Sequence, residues 1–363
     1  MLGISIYLGD KKVSDQEAYI RKMHENGFRS IFTSLHIPED ANSNDEKQLK
    51  DLGKLASQLN MELIADISPA SLEKLGINWS HTEQLLSWGL TGLRIDYGVP
   101  ESTIVALSHK MKIALNASTI TQEGLQRLKI AGLNTDAVEA WHNFYPRPET
   151  GLDIHEFTDK NKWLKEAGLT IMAFIPGEGE LRGPLYQSLP TIESHRHISP
   201  FAAYIELQKQ AHVDKVLIGD MAINDETLAQ FNAYKDQEVL LHAVPHKEVG
   251  QEMLNRIEGF HKNRPDSARD CFRSVDSRKN SGFRGEEILP YHCVERSIGS
   301  ITIDNKDYLR YQGEIQITKI DLPADEKVNV VGRIVSKDRP LLRWLKGDQK
   351  IQIQWVEEGS IQG

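Results

Sequence analysis

Cysteine is scarce in this sequence of 363 residues, which contains only Cys271 and Cys293. Two cysteines are too few for a disulfide framework, and their spacing fits no metal-binding motif. The sequence also has no run near the ~20 apolar residues that a membrane-spanning helix needs. The first ten residues lack the basic segment that opens a secretory signal peptide. We therefore expect a protein of the reducing cytoplasm that has no membrane partner.

Basic residues are outnumbered by acidic ones, and the net charge at pH 7 is −9. The acidic excess lies in residues 1–240, whereas residues 241–363 are nearly neutral. This balance argues against a general nucleic-acid partner. Any anionic ligand must then be held by local arginines. With 39% hydrophobic and 26% charged residues, the composition is typical of a globular protein with a proper core.

Strand-like and helix-like segments alternate through the first 235 residues. The predicted strands are residues 2–8, 29–35, 61–65, 92–95, 112–115, 137–141, 169–175 and 213–218. Short apolar strands alternating with amphipathic helices indicate a parallel sheet, and eight such units match a (β/α)₈ TIM barrel in an α/β fold. A doubly wound sheet is the alternative, but no Gly-x-Gly-x-x-Gly follows the first strand. Ser14 is predicted to cap a helix over residues 15–26.

The pattern changes after residue 240, where strand signals dominate. We predict strands at residues 300–303, 313–319, 329–335 and 350–356, with one early helix. The expected organisation is a catalytic barrel over residues 1–240 and a smaller β-rich closed barrel over residues 241–363.

Polar residues cluster where the predicted barrel strands end, which is the end that carries the active site in TIM barrels. They are Asp10, His36, Glu39, Asp66, Asp96, Asn116, Glu139, His142, Asn143, Glu178 and Asp220. Glycoside hydrolysis commonly needs two carboxylates on opposite sides of a sugar. We assign the catalytic role to Asp66, Asp96 and Glu139. Asp66 could instead cap a turn, and Asp96 could simply pair with Arg94.

The stretch over residues 137–151 is unusually rich in chemistry, with an imidazole, an amide, aromatic rings, carboxylates and a guanidinium. Period-two alternation places Glu139, Trp141 and Asn143 on one face of the strand. The predicted substrate-binding residues are His36, Arg94, Asn116, Trp141, His142, Asn143, Tyr145 and Glu149. His142 fits a hydrogen-bonded structural role equally well.

Arginine is suited to phosphate because its planar fork donates to two oxygens. The predicted phosphate ligands are Arg147, Arg182, Arg273 and Arg278. The last two belong to an Arg-rich segment over residues 264–284, and we expect the second domain to bring this segment to the barrel mouth. A set of His36, Asp66, Asp96, Glu139 and His142 could alternatively hold a divalent ion. No compact ligand motif supports that set, so we expect neither a metal nor a cofactor.

Several long motifs resemble the bacterial 6-phospho-N-acetylmuramidase family, and they are spread over nearly the whole chain. They are FTSLHIPED (32–40), LRIDYG (93–98), NASTI (116–120), HNFYPRPETG (142–151), LRGP (181–184), SVDSR (274–278) and ITIDN (301–305). The resemblance implies a (β/α)₈ barrel followed by a cyclophilin-like β-domain. It also implies cytoplasmic cleavage of the β-1,4 bond in N-acetylmuramic acid 6-phosphate–N-acetylglucosamine during cell-wall recycling. The expected partner is this phosphorylated amino-sugar disaccharide, and the oligomeric state stays open.

Two other functions fit the same residues. One is a metal-dependent sugar-phosphate isomerase or epimerase on the same barrel. The other is a non-enzymatic phosphosugar-binding module, suggested by the expected fold of the second domain.

Overall fold

A computed structural model describes residues 1–35, 45–95, 98–275, 277 and 286–357. The chain divides into two compact units, Met1–Asn224 and Asp225–Gly363. Among the described residues, no helix is long and apolar enough to cross a membrane.

The first unit is a closed barrel of eight parallel strands. They are β1 (Leu2–Ser5), β2 (Phe28–Ser34), β3 (Glu62–Ile67), β4 (Gly92–Ile95), β5 (Lys112–Asn116), β6 (Val138–Trp141), β7 (Thr170–Ile175) and β8 (Lys215–Ile218). Each strand pairs with the next along the chain, and β1 closes the barrel by pairing with β8. Nearly every strand residue is buried, because the strands pack against the barrel interior on one face and against helices on the other. The predicted TIM barrel is confirmed.

Helices connect the barrel strands. They are α1 (Val13–Glu25), α2 (Asp45–Gln58), α3 (Pro69–Lys74), α4 (Glu83–Ser87), α5 (Glu101–Ser108), α6 (Gln122–Ile130), α7 (Ile154–Glu166) and α8 (Pro200–Gln210). Short 3₁₀ segments lie at Trp79–His81, Thr135–Ala137 and Glu193–His195. The predicted cap of α1 is wrong: Lys12 occupies the N-cap position without a side-chain cap, and Ser14 lies inside the helix.

Asp66 does not cap the helix that follows β3. The residue that caps the following helix is Ser68, whose side chain accepts from the Ser71 N–H at the start of α3. Ser71 returns a hydrogen bond to the Ser68 N–H, so the two serines form a reciprocal cap. Asp66 is thereby left to face the barrel interior, where its partner is an arginine.

The second unit is a smaller β-rich domain. It contains α9 (Asp225–Lys235), β9 (Glu238–Pro245), α10 (Gln251–Ile257), β10 (Gly259–Lys262), β11 (Cys271–Arg273), β12 (Ser300–Asp304), β13 (Ile315–Thr318), β14 (Val328–Ile334) and β15 (Lys350–Trp355), with 3₁₀ segments at Lys306–Tyr311 and Arg339–Trp344. The strand order is β10-β15-β9-β14-β12-β13-β11, and β9 and β15 run parallel. A bridge between Asn263 and Ser274 links the two outer strands, so the mixed sheet is nearly closed into a barrel.

Candidate functional site

A cavity of about 750 Å³ lies at the carboxyl ends of the barrel strands, where TIM barrels bind their substrates. Its lining residues are Asp10, Phe32, Ser34, Asp66, Arg94, Asn143, Phe144, Tyr145, Pro146, Phe174, Arg182, Gly183, Pro184, Leu185 and Tyr186. We call this cavity the mouth pocket. It combines carboxylates, guanidinium groups, an amide and aromatic rings, which is the composition that sugar and phosphate recognition requires.

A polar chain crosses the mouth pocket between three strands. Arg94 Nη1 of β4 donates to Asp66 Oδ1 of β3 at 2.8 Å, and Arg94 Nη2 donates to Asn143 Oδ1 just beyond β6. Asp66 and Arg94 are 8% and 5% exposed. A charged hydrogen bond between such buried groups is strong, so it fixes the orientation of both side chains.

Aromatic rings form the floor of the mouth pocket. Phe32 of β2 lies 5.3 Å from Phe174 of β7 and 6.4 Å from Phe144 between ring centroids, in edge-on geometry. Trp141 packs beneath them, 6.0 Å from Phe32. Edge-to-face pairs at these distances are favourable beyond the area that they bury. These packed rings therefore give the pocket a rigid apolar surface.

Arg182 forms a second cationic wall of the mouth pocket. Its guanidinium carbon lies 3.8 Å from the centroid of the Tyr7 ring, and its Nε lies 3.5 Å from Asp10 Oδ2. The Tyr7 hydroxyl in turn donates to the Gly219 carbonyl at 2.5 Å. Stacking on a fixed ring orients the guanidinium plane.

Asp220, which follows β8, holds the long loop after β7. Its carboxylate accepts the N–H groups of Gly177, Arg182 and Leu189 at 2.7, 3.1 and 2.9 Å. Burial raises the pKa of Asp220 above its usual value, although these donors act in the opposite direction. A Cβ at position 177 would lie 2.5 Å from the Asp220 Cβ, so this close approach requires glycine. The carboxylate positions Arg182 through the backbone.

Glu193 holds the loop that follows β6. It accepts from Arg196 at 2.7 and 2.6 Å and from the N–H groups of Glu149 and Gly151 at 3.0 and 2.7 Å. The Arg196 hydrogen bond is the main reason that the pKa of Glu193 falls to about 2. Arg196 also donates to the Tyr145 carbonyl at 3.0 Å. This pair therefore fixes the backbone around Tyr145, which lines the mouth pocket, while the side chains of Arg147 and Glu149 are exposed.

Glu139 is not at the barrel mouth, so that part of the prediction is wrong. Its carboxylate accepts from Lys215 Nζ at 2.8 and 2.7 Å and from Trp141 Nε1 at 2.7 Å. Lys215 is the first residue of β8, and it also pairs with Glu62, the first residue of β3, at 2.9 Å. Lys112, the first residue of β5, joins both glutamates. We call Glu62, Lys112, Glu139 and Lys215 the lower charge cluster, since they lie at the amino-terminal end of the strands.

Three predicted substrate ligands have structural surroundings instead. Trp141 is fully buried in the barrel core. Asn116 is 5% exposed, and its Oδ1 accepts from the Ser118 N–H at 2.9 Å. His142 faces outward from β6: its Nε2 is 2.8 Å from Asn161 Oδ1 on α7, and its ring lies 4.3 Å from that of Phe157. Three other predicted substrate ligands, Arg94, Asn143 and Tyr145, do line the mouth pocket.

The burial of His142 predicts a pH dependence of stability. Desolvation lowers the pKa of His142 to about 4 from an ordinary 6.5, against the opposing effect of the Asn161 hydrogen bond. The unfolded chain therefore takes up this proton first as the pH falls. The stability contributed by neutral His142 is complete above pH 6.5, and it is lost as the pH falls from 6.5 to 4. At 1.36 kcal/mol per pKa unit, the loss is about 3 kcal/mol.

Urea unfolding of wild type and His142→Gln between pH 4 and pH 7.5 checks this expectation. The glutamine can still donate to Asn161 but does not titrate, so the wild type should lose about 3 kcal/mol more than the variant on acidification. The exposed His155→Ala variant serves as the control and should follow the wild type. Parallel curves for His142→Gln and wild type would contradict the expectation.

Three predicted residues, His36, Asp96 and Arg278, lie outside the described residues. Arg273 lies on β11 of the second unit, where its guanidinium donates to Glu314 at 2.7 and 3.1 Å. In this bidentate pair Glu314 occupies the two N–H donors of Arg273 that a phosphate would need.

Asp10 and Asp220 are the residues whose roles the sequence did not resolve. Both stood among the polar residues at strand ends, but neither was assigned a task. Their partners, Arg182 and the backbone of residues 177–189, come from a loop whose path the sequence pattern does not indicate.

Comparison with known proteins assigns the chain to a family. Residues 2–233 match the 6-phospho-N-acetylmuramidase N-terminal domain, and residues 239–354 match the C-terminal domain of the same family. A conserved Enterococcus faecalis protein with an unknown function is 43% identical over 99% of this chain and 97% of its own, with a TM-score of 0.88. An uncharacterized B. cereus protein is 26% identical over 97% of this chain and 99% of its own, with a TM-score of 0.74.

No curated protein matches the sequence. The family domains nevertheless cover nearly all of it, and all seven motifs that resemble the family fall within them. The chain therefore belongs to the 6-phospho-N-acetylmuramidase family.

Proposed function

We propose that this protein is a cytoplasmic glycoside hydrolase that cleaves the β-1,4 bond of N-acetylmuramic acid 6-phosphate–N-acetylglucosamine in cell-wall recycling. The observation that carries the proposal is the chain from Asp66 through Arg94 to Asn143 in the mouth pocket. Family membership supplies the substrate class. A cavity of about 750 Å³ falls in the size range of small-molecule sites.

Asp66 is the proposed catalytic anion. Its charged hydrogen bond with Arg94 favours a carboxylate, which suits a base or nucleophile at the sugar carbon and not a proton donor. Hydrolysis also needs an acid to protonate the leaving oxygen. Asp10 lines the same pocket with a half-exposed side chain, and Asp96 stays a second candidate for this role.

Sugar rings are proposed to bind against the aromatic surfaces. Phe144, Tyr145 and Tyr186 line the mouth pocket beside the amide of Asn143. Flat aromatic faces cover the apolar side of a sugar ring, while the amide and carboxylate groups pair with its hydroxyls. The rigid support of Tyr145 by Arg196 would lower the entropic cost of holding the substrate.

Arg182 is the proposed phosphate ligand. Arg94 and Arg182 both line the pocket, but Arg94 already donates to Asp66. Its plane is oriented by the Tyr7 ring and its backbone by Asp220. A preorganised guanidinium donates to phosphate oxygens without reorganising. Arg147, exposed on the adjacent loop, could add a second, weaker contact.

Arg182→Ala should lower kcat/KM for the phosphorylated disaccharide by about 10- to 100-fold, because a charged hydrogen bond contributes ~1.5–3 kcal/mol. The same change should have little effect on the unphosphorylated disaccharide, which the wild type is expected to cleave poorly. Steady-state release of free N-acetylglucosamine from both substrates measures this difference.

Arg127→Ala is the matched control, since Arg127 pairs with Glu101 on the exposed helical surface. It should behave as wild type on both substrates. Equal losses on both substrates in Arg182→Ala would indicate a general packing role for this side chain. Equal wild-type rates on both substrates would refute phosphate recognition.

The isomerase alternative needs a metal set of which the structure describes Asp66, Glu139 and His142, and these three do not form a ligand group. Glu139 and His142 lie on opposite faces of β6, each with its own partner. Product analysis separates the remaining possibilities. Release of free N-acetylglucosamine that persists in a chelator identifies a hydrolase, and tight binding without turnover identifies a binding module.

A further inference from the structure

Two histidines of the second domain lie side by side next to β14. His246 follows β9, and its N–H donates to the Val331 carbonyl at 2.9 Å. The carbonyl of His292 accepts from the Val330 N–H at 3.3 Å. Val330 and Val331, which are adjacent on β14, therefore hold the backbones of both histidines. As a result the two imidazole rings lie 3.4 Å apart between centroids, at 30° to one another.

A carboxylate completes the group. Glu248 is two residues beyond His246, in a turn closed by the hydrogen bond from the Val249 N–H to the His246 carbonyl at 3.1 Å. One ligand atom from each of His246, Glu248 and His292 lies within 4.8 Å of the others. The Glu248 N–H lies 3.5 Å from His246 Nδ1, so this turn holds Glu248 close to the His246 ring.

The backbone at His292 is held in an uncommon conformation. Its φ is 44°, in the left-handed region that is uncommon for residues other than glycine, although asparagine, aspartate and histidine adopt it more often than the rest. The Val294 N–H donates to the His292 carbonyl at 3.1 Å and closes the tight turn. Strain of this kind clusters at binding sites. Here its effect is to bring the His292 ring against that of His246.

The donor atoms of the three residues suit metal coordination. Neutral imidazoles together with one carboxylate form a donor set typical of zinc and related transition metals.

We propose that His246, Glu248 and His292 bind a divalent transition-metal ion, with Zn²⁺ as the best chemical match. Zinc–nitrogen bonds of ~2.0–2.1 Å place tetrahedral ligand atoms about 3.3 Å apart, so the observed spacing needs only side-chain rotation. Glu248 is exposed and is the group that can move. Three protein ligands leave a coordination position for water or a small anion.

The open position would face a cavity of about 430 Å³ within the second domain. Besides His246 and His292, its lining includes Arg333 and Arg339. Each of these arginines donates from Nε to a backbone carbonyl at 3.0 Å, Arg333 to Ile298 and Arg339 to Ile334. Both guanidinium groups are thus held among the residues that line this cavity, which favours an anionic species in it.

Titration of the metal-free full-length chain with Co²⁺ tests the proposal, because tetrahedral Co²⁺ absorbs visible light. Wild type should bind one Co²⁺ per chain with a micromolar or tighter Kd, and Zn²⁺ should displace it. His246→Ala and His292→Asn should each weaken binding by about 100-fold or more, and Glu248→Gln by about 10-fold. Asparagine is chosen at position 292 because it tolerates the left-handed backbone.

The exposed His155→Ala, in the barrel, is the matched control and should bind Co²⁺ as wild type does. Thermal unfolding of each variant verifies that it is folded. Absence of Co²⁺ binding by wild type, or unchanged binding in both His246→Ala and His292→Asn, would overturn the proposal. The readout does not use hydrolysis, so it stands apart from the proposed activity of the barrel.

Discussion

Asp66→Asn should reduce kcat for the phosphorylated disaccharide by about 10²–10⁴-fold, the range that general acid–base groups contribute. The amide keeps the size of the carboxyl group and can still accept from Arg94 Nη1. It removes the negative charge that a base or nucleophile requires. The loss should therefore appear in kcat, because the change removes a transition-state interaction and leaves the pocket's shape intact.

The Asp66–Arg94 pair is buried, so loss of the charge could also destabilise the protein. Turnover must therefore be expressed per folded molecule, with urea unfolding measured in parallel. Asp159→Asn provides a control in which an exposed carboxylate loses its partner Lys162, and it should retain wild-type turnover. Near-wild-type kcat in folded Asp66→Asn would remove this residue from the proposed mechanism.

Much of the barrel could be predicted because each strand has an apolar pattern that is recognisable from its own few residues. Residues 171–175, for example, are apolar throughout, and the intervening helices show helical periodicity. The elements that were not predicted have ambiguous local patterns. Helix α3 begins at a proline after Ser68, a pattern that also fits a turn, and its cap uses two serines instead of the usual acidic partner. Helix α9 and strand β9 lie where the sequence pattern changes, and neither was predicted.

The inner face of β6 could be predicted, but the depth of each residue along the barrel could not. Alternation correctly groups Glu139, Trp141 and Asn143, since the structure has all three facing inward. At ~3.3 Å per residue, however, Glu139 lies about 13 Å from Asn143 along the strand. One carboxylate then belongs to the lower charge cluster, and the amide belongs to the mouth pocket. Period-two patterns carry no information about which end a residue approaches.

Contacts between distant loops were also beyond the sequence. Arg182 reaches Tyr7 and Asp10, which are far from it along the chain. Glu193 and Arg196 fix the loop after β6 from the loop after β7. No local periodicity encodes such pairings. The proximity of His246 and His292 has the same origin, because adjacent residues of β14 bring the two loops together.

Glu139→Gln should destabilise the protein by about 3–5 kcal/mol, the cost of removing one partner from a buried ion pair. The carboxylate accepts two hydrogen bonds from Lys215, whose side chain is 2% exposed. Glu62 remains within 2.9 Å of that lysine, but it is then shared between Lys215 and Lys112. Burial opposes ionisation of Glu62, yet the two lysines outweigh it and lower its pKa. The lower charge cluster contains two glutamates and two lysines, and Glu139→Gln leaves the two lysines with one carboxylate.

Urea unfolding measures this loss, and turnover per folded molecule should stay near that of wild type, because Glu139 is remote from the mouth pocket. Lys215→Met provides a second test, since the double variant removes both charges. If the two groups act on each other, the double variant should be less destabilised than the sum of the single variants. Unchanged stability of Glu139→Gln, together with a 10²-fold or greater loss of kcat, would instead restore Glu139 to the catalytic site.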